Sequence, residues 1–151
     1  MLGSNYMRKM VDVDFGSSRY DELVELRYKV LLEPLGLKFL DSFRSKEITY
    51  LHVACIENLE DKLVGGLILA PVNDEQIRLM QVAVSPVCQG QGVGRELVKY
   101  AEKRAKEAGY TKIVMHAMLS VVDFYEKMGY EQEGNLFEEQ GITFAKMVKD
   151  L

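Results

Sequence analysis

The segment from Val82 to Arg95 has the composition of an anion-binding turn between a strand and a helix. It reads VAVSPVCQGQGVGR, with a glycine at every second position from Gly90 to Gly94. A helix N-terminus exposes backbone N–H groups without partners and carries a partial positive charge. Because glycine lacks a Cβ atom, a phosphate could approach these groups closely. We therefore expect an anion site at residues 89–95, with Arg95 adding positive charge.

Two common phosphate-binding motifs do not fit this segment. A Walker A loop ends in Gly-Lys-Ser/Thr, and no such ending follows Gly94. Gly90 and Gly92 match the first two glycines of a dinucleotide-binding G-x-G-x-x-G motif, but Arg95 occupies the third position. The next predicted strand, residues 112–118, has no acidic residue to bind a ribose. A glycine-rich turn without a ligand is the remaining alternative, although so many glycines add an entropic cost to an ordinary connection.

Tyr125 lies in a second segment that could do chemistry, DFYEKMGY at residues 123–130. Val121, Phe124, Tyr125 and Met128 are spaced along one face of a helix. On this spacing alone a core position is favoured for Tyr125, with its hydroxyl bonded to a nearby group. A tyrosine can also donate a proton when it is held at hydrogen-bond distance from a base.

Hydrophobic periodicity predicts the elements that position these two segments. Strands are predicted at residues 6–15, 48–58, 62–72, 76–85, 112–118, 130–139 and 141–150. Helices are predicted at residues 21–32, 37–43, 94–110 and 121–128, the first opened by a capping box of Ser18 and Asp21. Short polar turns link the strands between residues 48 and 85, which predicts an antiparallel meander. The pattern indicates one α/β domain with a mixed sheet.

The composition limits the classes of function. The chain has 151 residues, 48% of them hydrophobic, and a formal net charge of −4. A nucleic-acid surface is therefore not expected, and the acidic bias fits a cationic substrate slightly better than an anionic one. Cys55 and Cys88 are too few for a disulfide framework and too isolated for a zinc knuckle. Without a run of ~20 apolar residues or a signal peptide, we expect a cytoplasmic protein without membrane partners.

The two chemistry-bearing segments together resemble the GNAT superfamily of N-acetyltransferases. Residues 89–94, QGQGVG, look like the Q/R-x-x-G-x-G/A motif of that family, and the preceding VAVSP and the downstream FYEKMGY match as well. The resemblance extends over the order of elements and implies one N-acetyltransferase domain at residues 1–151. It also implies an α/β (α+β mixed) fold with a central mixed, largely antiparallel sheet of about six to seven strands flanked by helices.

The resemblance implies acetyl-CoA as co-substrate and direct attack by an amine on its thioester. In the family, loop amides bind the pyrophosphate, the preceding strand pairs with the pantetheine arm, and a tyrosine protonates the departing CoA thiolate. The tyrosine corresponds to Tyr125, and no metal is required. The cofactor-binding positions that follow are Val82, Ala83, Val84, Gln89, Gly90, Gln91, Gly92, Val93, Gly94 and Arg95.

Two departures from the family pattern concern the base and the cofactor. Some members carry a glutamate on the strand before the glycine loop, whereas residues 77–81 contain no carboxylate. Glu47, His52, His116 or water could instead deprotonate the amine. Met118 occupies a position at which the family often has Asn or Gln to help position CoA.

The acceptor amine, a small molecule or a protein amine, is not identified by the sequence. The resemblance implies a pocket formed by the first two helices and the terminal hairpin. Its candidate side chains are Tyr28, Leu35, Phe39, Phe43, Phe137, Glu138, Glu139 and Phe144. A non-catalytic acyl-CoA-binding sensor and a scaffold protein remain alternatives, and a homodimer through the terminal strands is left open.

Overall fold

Strands account for most of the core in the computed structural model, which describes residues 7–38 and 41–151. The strands are β1 (Arg8–Val13), β2 (Leu51–Glu57), β3 (Lys62–Pro71), β4 (Gln76–Val84), β5 (Lys112–Met118), β6 (Glu131–Gln132), β7 (Phe137–Glu139) and β8 (Ile142–Asp150). The helices are α1 (Ser18–Arg27), α2 (Asp41–Lys46), α3 (Val93–Glu107) and α4 (Val122–Lys127). None of the helices in the described ranges combines the length with the apolar composition that a membrane span requires.

The strands form one mixed sheet in the order β1-β2-β3-β4-β5-β8-β6, with β7 paired to β8. Only β4 and β5 pair in parallel among the described strands, so the expectation of a mixed, largely antiparallel sheet is confirmed. The meander predicted between residues 48 and 85 is β2-β3-β4. The sheet has eight described strands because Gly134, with φ of +78°, lies between β6 and β7, where the sequence predicted one strand.

The first helix begins and ends differently from the sequence prediction. Ser17 is its N-cap, and the Ser17 side chain accepts a hydrogen bond from the Tyr20 backbone N–H. Asp21 is therefore one position too far along for the predicted capping box with Ser18. The α-helix ends at Arg27, and a π-helical turn, Tyr28–Leu32, continues the predicted segment.

Consecutive glycines in β3 allow helices to approach the sheet on both faces. A Cβ atom on Gly66 would overlap Leu23 of α1, whereas one on Gly65 would lie 3.0 Å from Leu97 of α3. Leu23 belongs to a small core cluster beneath α1, and Leu97 to the larger cluster beneath α3 and α4. The sheet is therefore covered on both faces.

β4 and β5 separate soon after they begin to pair. They are in parallel register only from Gln76–Lys112 to Arg78–Val114. Farther along, β4 contains one extra residue relative to β3, because Ile68 opposes Met80 whereas Gly66 opposes Ala83. Gln81, at this bulge, has φ of +54°. Because a bulge bends a strand and increases its twist, β4 leaves β5 at this point.

A buried ion pair holds the bulge. Arg27 is fully buried, and its Nε donates to Gln81 Oε1 at 2.7 Å. The two terminal nitrogens of Arg27 donate to the two oxygens of Glu47 at 3.0 and 2.6 Å. The Tyr20 hydroxyl donates to the same carboxylate at 2.9 Å. These contacts join α1, the turn after α2 and the bulge in β4 into one unit.

Replacing Glu47 with Gln should destabilise the fold far more than breaking an exposed ion pair. The variant leaves the Arg27 guanidinium buried without its anion, and removal of one partner from a buried pair costs about 3–5 kcal/mol. Glu22→Gln, which breaks the exposed Arg19–Glu22 pair, should cost less than about 1 kcal/mol. Urea unfolding measures both free energies, and equal losses would contradict the role assigned to the buried pair.

Candidate active site

A cavity of about 560 Å³ lies where β4 and β5 separate. Its wall is mainly apolar and comes from the π-helical turn, β4, the start of α3, β5, α4 and β8. Val82, Gly94 and Tyr125, all singled out from the sequence, line it. A larger depression of about 800 Å³ between α1 and the β2–β3 turn has several exposed carboxylates but contains neither the glycine loop nor Tyr125. We therefore take the first cavity as the candidate site.

The cavity extends to both faces of the sheet. Leu79 of β4 and Met115 of β5 line it and belong to the core cluster beneath α3 and α4. Because side chains alternate along a strand, Arg78 and His116 lie on the opposite face, which α1 covers. Leu31, in the turn after α1, lines the cavity as well. Two molecules could therefore enter from opposite faces and meet between the strands.

The glycine loop presents a row of free backbone donors. Among the described residues, none of the N–H groups of residues 90–95 donates to a protein acceptor. The first bond of α3 runs from the Glu96 N–H to the Gly92 carbonyl at 3.1 Å. Gly90 and Gly92 have φ of +78° and +83°, a region that favours glycine. The loop therefore has the unpaired donors and the helix N-terminus that an anion site requires.

The side chains of the loop are mostly committed elsewhere. Val93 is buried in the core, and the Gln89 and Gln91 amides donate to the carbonyl oxygens of Val84 and Val87. Arg95 is exposed. Any anion bound here would be held chiefly by backbone N–H groups.

Two further predicted positions lie in β4 next to the loop. Val84 packs against the core cluster, and Ala83 is buried opposite Gly66 of β3. Because β5 has already separated, the edge of β4 at residues 82–84 has no described strand paired to it on that side. An extended group could add to this edge as a further strand does.

Arg8 contacts the glycine loop from the first strand. Its Nη2 donates to the Gln91 carbonyl at 2.8 Å, and its Nε lies 2.6 Å from Glu96 Oε2. The Arg8 side chain is 7% exposed. In a trans peptide the carbonyl and the next N–H point in opposite directions, so this contact turns the Gly92 N–H away from Arg8. Nothing near Arg8 in the sequence signals this role, because its contacts are more than eighty residues away.

Tyr125 and Tyr130 differ in the use of their hydroxyl groups. Both are buried, with ring centroids 5.7 Å apart. The Tyr130 hydroxyl donates to Glu102 at 2.8 Å. The Tyr125 hydroxyl makes no hydrogen bond to a described residue, and the side chain lines the cavity. Burial raises the pKa of Tyr125 to about 12, so this hydroxyl is a neutral, unengaged donor.

Two of the candidate bases lie outside the cavity lining. Glu47 is buried, and both of its oxygens are bonded by Arg27 and Tyr20. His52 is buried too, and its Nε2 lies 2.9 Å from the Glu47 carbonyl oxygen. Because a carbonyl oxygen only accepts, this nitrogen carries the proton. Burial lowers the pKa of His52, which keeps the ring neutral.

His116 does line the cavity, but its free lone pair is already used. Nη2 of Arg78 lies 2.8 Å from His116 Nδ1. Because a guanidinium only donates, Nδ1 accepts this bond and Nε2 carries the ring proton. Burial, followed by the nearby Arg78 charge, lowers the pKa of His116 and keeps it neutral. Within the described residues, no group of His, Cys, Asp or Glu side chains could hold a metal ion.

The terminal hairpin contributes an aromatic wall to the predicted acceptor pocket. Phe144 lines the cavity, and Phe137 stacks on it with ring centroids 5.8 Å apart. Phe137 also meets the His116 ring edge to face at 4.9 Å. Glu138 and Glu139, in the same hairpin, are exposed.

The first two helices contribute less to the cavity than the sequence predicted. Tyr28 and Leu35 are not part of its lining, and Leu31 takes that place. Phe39 and the side chain of Phe43 lie outside the described residues. Arg78 and Leu31 line the cavity but were not among the predicted site residues. The sequence signal that could have indicated Arg78 is its position as an isolated arginine in the mainly apolar strand IRLMQVAV.

The family comparison matches most of the chain. The family model of the acetyltransferase (GNAT) domain matches residues 38–151. The chain is 28% identical over 133 residues to the uncharacterized protein YyaT of Bacillus subtilis, covering 86% of this chain and 88% of that protein. It is 37% identical over 62 residues to an uncharacterized ycf52-like N-acetyltransferase of Prochlorococcus marinus, covering 40% of this chain and 34% of the relative. The chain spans about a third of the length of this second relative and of two other curated relatives that it matches.

The fold is shared with solved structures at low sequence identity. A GNAT family acetyltransferase from Elizabethkingia anophelis, solved with acetyl-CoA bound, superposes with a TM-score of 0.74 at 18% identity. The match covers 95% of this chain and 98% of that structure. It establishes the common architecture.

Arg8→Gln should weaken acetyl-CoA binding about tenfold, because the variant loses the charged hydrogen bond that orients the loop. Such a bond is worth about 1.5–3 kcal/mol, and we expect part of this free energy to be lost from ligand binding. S-acetylpantetheine, which lacks the pyrophosphate, should bind equally well to the variant and the wild type. Isothermal titration measures both affinities.

Arg104→Gln is the matched control for Arg8→Gln. Arg104 also joins α3 to β1, through Asp12 at 2.9 Å, and its hydrogen bonds go to Asp12 and Glu107 instead of the glycine loop. It should leave both affinities unchanged. Equal weakening of the two ligands, or equal effects of the two variants, would contradict a specific role of Arg8 in the loop.

Proposed function

The chain belongs to the GNAT acetyltransferase family, and from this premise we propose that it transfers an acetyl group from acetyl-CoA to a primary amine. The observation that carries the proposal is the cavity between separated β4 and β5, bordered by the unpaired N–H groups of residues 90–95. In this proposal residues 1–151 form one N-acetyltransferase domain. The structure of the Elizabethkingia anophelis relative with acetyl-CoA bound supports the choice of co-substrate.

The cofactor would lie along one continuous surface. The pyrophosphate is assigned to the N–H groups of residues 90–95, where the α3 dipole adds a partial positive charge. The pantetheine arm is assigned to the free edge of β4 at residues 82–84. This course brings the thioester into the cavity near Tyr125.

The reaction is a direct transfer within this cavity. The amine nitrogen forms a bond to the thioester carbonyl carbon, and the C–S bond then breaks with its electron pair on sulfur. An N–H group on β4 near Val82 would stabilise the developing oxyanion. Alignment of the two reactants supplies much of the acceleration. Before it attacks, the acceptor ammonium loses a proton to water and becomes the neutral amine, since Glu47 and His52 lie outside the cavity lining and the His116 Nδ1 lone pair is engaged.

Tyr125 is assigned as the group that protonates the CoA thiolate. Its pKa of about 12 keeps the hydroxyl protonated, so at neutral pH it can only donate. Transfer to a thiolate of ordinary pKa ~8.5 would be uphill by several kcal/mol. The departing sulfur, however, sits in the same apolar cavity, where desolvation raises its basicity too. The difference between the two pKa values is therefore smaller than the reference values suggest.

Acetyl-CoA should raise the melting temperature of the wild-type protein by about 5–10 °C at a concentration of about 100 Kd. Gly90→Glu should abolish this shift, because the new side chain places a negative charge in the anion site. Gly109→Glu is the matched control: both glycines have positive φ and open space where a Cβ would lie, but Gly109 lies past the opposite end of α3. Loss of the shift in both variants, or in neither, would contradict the assigned site.

Tyr125→Phe should lower kcat about 100-fold while leaving acetyl-CoA affinity unchanged, because it removes the proton donor but keeps the ring. Tyr130→Phe, whose hydroxyl is bonded to Glu102, should retain kcat. Release of free CoA thiol measures turnover.

Since burial raises the pKa of Tyr125 to about 12, kcat should show no loss from tyrosine ionisation up to about pH 10.

An unchanged kcat in Tyr125→Phe would remove Tyr125 from the mechanism. Binding of acetyl-CoA without turnover of any amine is the behaviour of an acyl-CoA-binding module and would contradict the enzymatic proposal.

A further inference from the structure

Arg78 is a cation without a carboxylate partner among the described residues, and it lies in the wall of the cavity. Its guanidinium makes one hydrogen bond to a described residue, from Nη2 to His116 Nδ1. Its Nε is buried and has no partner among the described residues. A guanidinium has five N–H donors and no acceptor, and buried donors are normally satisfied. Arg78 therefore has donor capacity left for a ligand.

His116 adds a second donor beside Arg78. Its Nδ1 accepts from Arg78, so its other nitrogen, Nε2, carries a proton. Both side chains line the cavity on the face that α1 covers. The pair thus offers only N–H donors, and the complement of such a pair is an acceptor-only group such as a carboxylate.

The rest of the described cavity wall leaves the positive charge of Arg78 unneutralised. Among the described lining residues, Arg78 is the only one with a formal charge at neutral pH. A nearby acidic group is Glu139, whose Oε1 lies 3.9 Å from His116 Nδ1. The Glu139 side chain is 56% exposed and is not part of the lining. Water therefore screens Glu139 more effectively than it screens Arg78.

We propose that the acceptor is a primary amine that also carries a carboxylate, and that Arg78 and His116 bind this carboxylate. The inference rests on the proposed N-acetyltransferase function and names its substrate class. Phe144 lines the cavity and Phe137 stacks on it, so the adjoining surface is apolar and suits an acceptor with an apolar body. The chain as a whole has a net negative charge, which by itself would favour a cationic substrate. The described cavity wall, however, carries the positive charge of Arg78, which favours an anionic group.

Matched amines test the inference directly. Glycine, β-alanine, phenylalanine and 6-aminohexanoate are each supplied as the carboxylate and as the carboxamide, with spermidine as a purely cationic acceptor. In the wild type, kcat/KM should be about tenfold or more higher for the carboxylate of at least one pair. Arg78→Gln should abolish that preference through KM, and Arg78→Lys should retain part of it, because Lys keeps the charge but not the fork geometry.

Glu139→Gln serves as the matched control, because it neutralises the opposite charge beside the same histidine. It should keep or increase the preference for the carboxylate. The inference would be overturned if the wild type preferred spermidine or the carboxamides, and if Glu139→Gln removed this preference while Arg78→Gln left it intact. An unchanged carboxylate preference in Arg78→Gln would overturn it too.

Two binding measurements separate this inference from the proposed function. Acetyl-CoA affinity should be equal in the wild type and Arg78→Gln, which also reports that the variant folds. If acetyl-CoA binds but every carboxylate fails both to turn over and to raise the melting temperature in the presence of CoA, the inference is wrong and the cofactor assignment stands. If acetyl-CoA itself does not bind, the proposed function fails first.

Discussion

The separation of β4 from β5 is the constraint on which the site depends. Two parallel strands that stayed paired would leave neither a free edge for an extended ligand nor a cavity between them. The bulge at Gln81 bends β4 away, and the buried Arg27–Glu47 pair holds the bulged residue in place. A buried ion pair is a costly way to gain stability, since desolvation offsets much of the attraction. Its value here is positional, because it fixes α1, the turn after α2 and β4 relative to one another.

The glycine loop follows the end of β4 that has separated from β5. Once β4 has left β5, it leads into a turn whose N–H groups remain unpaired among the described residues, and α3 begins there. Arg8 binds this turn from the first strand and lies on the side away from the Gly92 N–H. The proposed anion site, the free edge and the cavity are thus consecutive parts of one surface. In the proposed mechanism the acceptor approaches from the other face, past Arg78 and His116.

The local parts of the site could be predicted from the sequence, and the long-range parts could not. The glycine loop and the segment at residues 123–130 are contiguous motifs, so they could be located in the sequence and assigned a hypothetical role from their pattern. Sequence alone left the use of the Tyr125 hydroxyl undecided, since Tyr130, five residues on, has the same chemistry and bonds Glu102. Glu47 was a candidate base until the fold placed Arg27 against it. Arg8 contacts residues more than eighty positions away, a pairing that no local pattern encodes.

A crystal structure of the protein with acetyl-CoA bound tests the central claim most directly. We expect pyrophosphate oxygens within about 3 Å of N–H groups of residues 90–95. We also expect the pantetheine arm along residues 82–84 and the sulfur beside the Tyr125 hydroxyl. Acetyl-CoA bound elsewhere, or β4 and β5 paired along their full length, would contradict the proposed site.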